Sequence, residues 1–172
     1  VTIAVLDTGV DESHPDIDVA KWKDFDDDPS TEPKDYGSHG THVSGTVLGG
    51  NASGTAIGVA PEAELHHGAV LTQCSDTCSG TFGQIISGMQ WAVENDADVL
   101  SMSLGASGYY AELIDPVRNA RQAGTIPVVS SGNNGDGTSG SPGNVYESTA
   151  VGATTEWGSI ADFSSGEVID TD

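Results

Sequence analysis

An aspartate after an apolar run, a pair of histidines three residues apart and a serine- and asparagine-rich stretch are the groups best placed to do chemistry. Asp7 closes Val1-Thr2-Ile3-Ala4-Val5-Leu6, and His39 and His42 stand in Ser38-His39-Gly40-Thr41-His42-Val43. Ser101 and Ser103 end a second apolar run, and Ser130-Ser131-Gly132-Asn133-Asn134-Gly135 follows a third. A buried carboxylate accepting from one imidazole nitrogen fixes the tautomer and stabilises the ring when its other nitrogen takes a proton, which is how a general base is built. His39 falls where a helix should begin, and the positive dipole end there disfavours imidazolium unless an anion is near. Asp7 is the obvious anion. Singly, each group has an ordinary reading. Asp7 could cap a turn, His39 and His42 could be two helix-face histidines or a metal pair, and Gly-Asn-Asn-Gly could be a turn. A metal hydrolase on His39 and His42 fails on ligand count and lacks a glutamate placed as base.

The elements that must position these groups follow from periodicity. Residues 1–6 are a near-continuous β-branched run, the pattern of a strand buried on both faces in a parallel sheet. Residues 11–38 are acidic and turn-rich, with room for one short strand. From His39 apolar positions recur at three- and four-residue spacing up to Gly49-Gly50, predicting a helix. A strand over 65–71, a Ser/Cys/Gly loop over 72–80, an amphipathic helix over 82–95 and a strand over 98–104 are expected next. Then come a helix over 109–122 stopped by Gly124, and strands over 125–130 and 148–154. Strands alternating with helices predict a three-layer α/β/α fold with a mainly parallel central sheet and right-handed crossovers. In such sheets the working residues sit at the carboxyl ends of strands, where Asp7, Ser103 and Asn133 fall.

Composition narrows the setting. The 172 residues hold 26 Asp and Glu against 5 Lys and Arg, a formal charge of -21. A surface so negative repels nucleic acid and anionic membranes, so neither is expected as a partner. No apolar run approaches the roughly 18 residues of a membrane helix. The acids are dispersed rather than gathered in a tail, which suggests adaptation to high salt. Molar salt cuts the Debye length to about 3 Å and so relieves the self-repulsion.

Six segments together resemble the subtilisin-like serine proteases, the subtilases of peptidase family S8. They are Val5-Leu6-Asp7-Thr8-Gly9-Val10, His14-Pro15-Asp16, Ser38 to Thr46, Gly58-Val59-Ala60-Pro61, Ser101-Met102-Ser103-Leu104-Gly105 and Val128 to Asn133, in family order from residue 1 to about 165. The resemblance implies a serine endopeptidase with an Asp-His-Ser triad, in which Asp7 is the aspartate, His39 the general base and Asn133 the side chain that donates to the oxyanion. His42 is then structural. It also implies that Gly80-Thr81 and Ser103-Leu104-Gly105 hold substrate backbone as an added strand, with Ser131 and Gly132 lining the specificity pocket. A protein or peptide substrate, an inhibitory propeptide in the precursor, a secreted monomer similar to the halolysin-type enzymes of halophilic microbes, and no organic cofactor are the matching expectations.

The family's nucleophile lies in a Gly-Thr-Ser-Met-Ala-like segment that does not occur in this sequence. Residues 1–172 are therefore expected to be part of a catalytic domain, short of an N-terminal segment and of the nucleophile-bearing part, and inactive alone. The rival is a subtilase-like domain that binds peptide without cutting it. Asp16 matches a family calcium ligand and the loop 50–56 matches its partner loop in length, so a structural calcium is entertained. Ala52 nevertheless stands where an amide ligand is usual, with Asn51 one residue early. The acidic cluster of Asp24, Asp26, Asp27 and Asp28 reads as a solvated loop. Cys74 and Cys78, in Cys-Ser-Asp-Thr-Cys, would need further ligands to hold a metal. His66 and His67 are nearby, but strand alternation sends them to opposite faces. A small-loop disulfide is the expectation in a secreted protein.

Overall fold

The apolar run at the start of the chain becomes strand β1 (Thr2–Asp7), in which Ile3 through Asp7 are all buried. The structure, a computed structural model, describes residues 1–168 and divides into two units, Val1–Ser101 and a second that begins at Met102. Residues 169–172, included in the single-domain expectation, lie outside the described residues.

In the first unit β1 is flanked by parallel strands on both sides. It pairs with β3 (Glu64–Ala69) and β6 (Val99–Met102), and β3 pairs in turn with β2 (Val19–Asp24). Because side chains alternate across a strand, β1 serves two layers at once. Ile3 and Val5 join Leu65 and Leu48 in one cluster, against which Val43 and Val47 of helix α1 (His39–Leu48) pack. On the other face Leu6 meets helix α2 (Phe82–Glu94) so closely that a Cβ on Gly88 would lie 3.0 Å from Leu6 Cδ1. The three layers expected from the sequence are thus present here. Burying a leucine such as Leu6 contributes about 2–3 kcal/mol. Helix α2 is started by a capping box, in which Thr81 and Gln84 satisfy one another's backbone N–H.

Between β3 and α2 along the chain lies a two-stranded antiparallel ribbon, β4 (Gln73–Cys74) and β5 (Cys78–Ser79), inside the segment expected to be loop. Cys74 and Cys78 are bonded to each other across it.

The second unit carries β7 (Ala106–Ser107), a short 3-10 turn (Ala111–Leu113), α3 (Ile114–Ala123), β8 (Ile126–Ser130), β9 (Gly140–Ser141) and β10 (Thr149–Val151). Strand β8 pairs parallel with β10, and β7 antiparallel with β9. Gly124 ends α3 with φ 102, a left-handed cap that glycine adopts without steric cost. The expected strand over 98–104 stops at Met102, although Leu104 is buried. The helix expected over 109–122 opens instead as the 3-10 turn and becomes α-helical only at Ile114.

His66 and His67, out of place in an apolar strand, are both fully packed and do face opposite ways. His66 lies against Trp91 of α2 and its Nε2 is 2.8 Å from Glu64 Oε1. His67 stacks on Trp22 and bonds through Nδ1 to Ser44 Oγ of α1 at 3.0 Å.

Candidate active site

Asp7 is delivered by the carboxyl end of β1 and is fully buried. Its Oδ1 accepts the Thr8 N–H at 2.7 Å and lies 2.7 Å from His39 Nδ1, while Oδ2 is buried without a partner among the described residues. Burial pushes the Asp7 carboxyl above its ordinary pKa, and the hydrogen bonds from His39 and Thr8 pull back against it. The sign follows from linkage: a carboxyl whose pKa is raised on folding stabilises the fold when protonated, and that contribution is lost as pH rises through its pKa. Ionising the buried Asp7 therefore costs the fold stability.

An ionised Asp7 can only accept, so Nδ1 of His39 then carries the hydrogen, and in the neutral ring Nε2 keeps its lone pair. The imidazole is half exposed. It is brought to Asp7 by a close approach that only glycine permits: a Cβ on Gly40 would lie 2.1 Å from the Gly9 carbonyl oxygen and 3.1 Å from Asp7 Cβ. Helix α1 begins without help from its own N-cap. Ser38 is left-handed, φ 66, and its side chain makes no capping bond. The segment before it is sewn to the strand end instead, through a bridge between Gly9 and Asp35 and a hydrogen bond from Tyr36 N to Thr8 O at 2.9 Å.

The acidic cluster is knotted rather than open. Asp24 is buried, and its carboxylate accepts from Asp26 N at 3.0 Å, Ser30 N at 2.8 Å and Tyr36 Oη at 2.8 Å. The loop is folded around one carboxylate, which the composition did not show.

The other residues singled out by sequence divide between the two units. In the first, Gly80 runs tight against β3's continuation, where a Cβ would meet the Val70 carbonyl oxygen at 1.9 Å. Thr81 gives both its N–H and its hydroxyl to Gln84 as cap of α2. The Cys74–Cys78 bond lies beneath the turn that leads to His39, since a Cβ on Gly37 would be 2.2 Å from Cys78 Sγ. His42 is exposed and takes no part in the Asp7–His39 pair. In the second unit Leu104 is buried, its carbonyl accepts Ser130 Oγ at 3.1 Å, and Ser103 and Gly105 are exposed beside it. Ser131 Oγ donates to Ser165 O at 2.9 Å, and Gly132 turns with φ 112 over Ser165. Asn133 is exposed, with no side-chain hydrogen bond among the described residues.

Asp16 is buried, its Oδ1 accepts Ser53 N at 3.2 Å, and Oδ2 is buried without a partner among the described residues. A cavity of about 590 Å³ opens beside it, lined in part by Asp16, Gly50, Asn51 and Ala52. No group of three or more His, Cys, Asp or Glu side chains gathers to hold a metal among the described residues. Sequence reasoning passed over Thr8, Asp35 and Thr41, which hold the start of α1. The one signal that could have found Asp35 is an acidic residue just ahead of a helix start.

A buried carboxylate 2.7 Å from a half-exposed imidazole, at the carboxyl end of a parallel strand of an α/β fold, is an arrangement able to handle protons in the manner nucleophilic catalysis requires. Comparison with known proteins narrows the class: residues 1–170 match the subtilase family of S8 peptidases, and the chain belongs to that family. It is similar to the major intracellular serine protease of Bacillus subtilis, 40% identical over 174 residues, covering 95% of this chain and 54% of that protein. Subtilisin E of the same organism is 40% identical over 171 residues, with 96% and 44% covered. Among solved structures, the S41 psychrophilic protease superposes with a TM-score of 0.81 at 35% identity, over 95% of this chain and 58% of that one. The chain thus spans about half the length of the relatives it matches.

Proposed function

We propose that the protein containing this chain is a serine endopeptidase that cuts protein substrates through an acyl-enzyme, with Asp7 and His39 as two members of its triad. The observation that carries the reading is the 2.7 Å contact between His39 Nδ1 and a wholly buried Asp7 carboxylate. That contact leaves Nε2 free to take a proton from a serine hydroxyl and return it to the leaving amine. The nucleophile is supplied from outside these 172 residues, so this chain alone is inactive. Asn133 serves as the amide donor to the oxyanion, Gly80-Thr81 and Ser103-Leu104-Gly105 take up substrate backbone, and Ser131-Gly132 shape the side-chain pocket. In the full-length protein, casein hydrolysis should fall on His39→Ala by a factor on the order of 10⁴ or more, the scale known for triad members in the subtilisins. Unchanged hydrolysis would remove His39 from the mechanism. A wild-type protein that binds peptide and cuts none would favour a non-catalytic domain.

The setting is proposed on composition and cysteine chemistry. A charge of -21 with a disulfide between Cys74 and Cys78 suits a secreted, salt-adapted monomer of halolysin type, made with a propeptide. Relatives include a protein named for its intracellular role, so kinship does not fix the compartment. A structural calcium fits Asp16 in part. The partnerless, buried Oδ2 is one hard oxygen ligand, and the carbonyls of the 50–53 loop, with Asn51, are the local source of others.

A further inference from the structure

We propose that Asp35 is a positioning residue for the catalytic pair: its carboxylate sets the backbone on both sides of His39 and ties it to the strand end that carries Asp7. The proposal rests on the reading of Asp7 and His39 as catalytic. Oδ1 of Asp35 accepts from Gly37 N at 3.0 Å, Ser38 N at 2.9 Å and Thr8 Oγ1 at 2.6 Å. Oδ2 accepts from Thr41 N at 2.9 Å and Thr41 Oγ1 at 2.5 Å. Thr8 Oγ1, having donated to Asp35, accepts Gly40 N at 2.9 Å. The residues on either side of His39 are therefore held by one carboxylate, directly at 37, 38 and 41 and through Thr8 at 40. Thr8 is also the residue that follows Asp7, so the same network fixes both partners of the 2.7 Å contact.

The local backbone and electrostatics agree. Ser38 sits at φ 66 and offers no cap of its own, so the free N–H groups at the start of α1 turn to Asp35. A non-glycine residue in that region persists only where its surroundings over-determine it. An anion at a helix N-terminus is electrostatically favoured as well. Half-burial raises the Asp35 carboxyl's pKa, yet the bonds from Thr41, Thr8 and Gly37 outweigh it and hold the group below the usual range. The carboxylate is therefore ionised, and able to accept all five bonds, across the neutral range.

The test uses the full-length protein, steady-state kinetics on a peptide substrate, and the NMR resonance of the proton on His39 Nδ1. Asp35→Ala should lower kcat on the order of 100-fold with KM little changed, the effect of misplacing a reacting group by about 1 Å. The Nδ1 proton signal should broaden or vanish. Asp35→Asn keeps the shape and three of the acceptor contacts, and should recover about tenfold of kcat together with the signal. A kcat within threefold of wild type in Asp35→Ala, or a lowered Tm with kcat and the Nδ1 signal intact, would overturn the proposal. If the Ala variant does not fold, Asp35→Asn decides: an unchanged kcat and signal refute positioning, a reduced kcat with a shifted signal supports it. Wild-type protein that shows the Nδ1 signal but cuts no peptide would count against the protease reading alone, and the signal in the variants would still judge Asp35.

Discussion

Burial of His67 should make the fold acid-labile. Its ring is wholly buried in β3, bonded to Ser44 Oγ through Nδ1, with Nε2 buried and partnerless among the described residues. Burial lowers its pKa from an ordinary 6.5 to about 3, opposed only weakly by the charge of Asp35. A depressed pKa means that the unfolded chain binds a proton the folded one refuses. The stability is fully present above pH 6.5 and drains away as pH falls toward 3. At pH 4.5, two units below the unfolded value, the loss is roughly 3 kcal/mol, from 1.36 kcal/mol per unit. His67→Asn keeps a partner for Ser44 and cannot take up the proton. Its urea-unfolding free energy at pH 8 should sit on the order of 1–2 kcal/mol below wild type, from lost packing. That gap should close and then reverse by pH 4.5. Measuring the difference between the two proteins at each pH cancels the titration of the many surface acids. Stability curves that stay parallel from pH 8 to 4.5 would refute the assignment of this lability to His67.

Gly37→Ala should destabilise the protein by about 1–3 kcal/mol, because the new methyl would stand 2.2 Å from Cys78 Sγ. The same change made in a Cys74→Ala, Cys78→Ala background should cost much less, and additive effects in that thermal-melt cycle would show that the sulfur is not what the turn rests on. For the salt dependence, Tm should climb by several degrees between 0.1 M and molar NaCl, as the Debye length shrinks from about 10 Å to about 3 Å around a charge of -21. A flat or falling Tm would end the salt-adapted reading.

What the sequence made legible depended on whether a residue acts through its side-chain type or through the backbone it holds. Asp7 and His39 stand in distinctive local strings, and the apolar run before Asp7 announced a strand buried on both faces, as β1 is. Asp35 carries only a faint signal, an acid just ahead of a helix start, because its role is to accept five N–H and O–H bonds from Thr8, Gly37, Ser38 and Thr41, and Asp-Tyr-Gly-Ser has no periodicity to betray that. Alternation put His66 and His67 on opposite faces, but their purpose needed Trp91 from one helix and Ser44 from another. The strand over 98–104 was read too long because Leu104 buries its side chain without joining the ladder of β6. Pattern reports burial, and hydrogen-bond register is a separate matter.

The buried Asp24 has a consequence at the other end of the pH scale. Burial and the hydrogen bond to its carboxylate push the Tyr36 phenol far above the ordinary value near 10. A phenol whose pKa rises on folding keeps its proton where the unfolded chain has lost it, so its share of stability is full below about 10 and drains as pH climbs from there through the raised value. Tyr36 leads directly into the turn before His39, with Lys34 lying 3.8 Å over its ring. The segment that leads to the histidine therefore keeps this fastening to Asp24 through mildly alkaline water and gives up its contribution as the pH climbs beyond about 10.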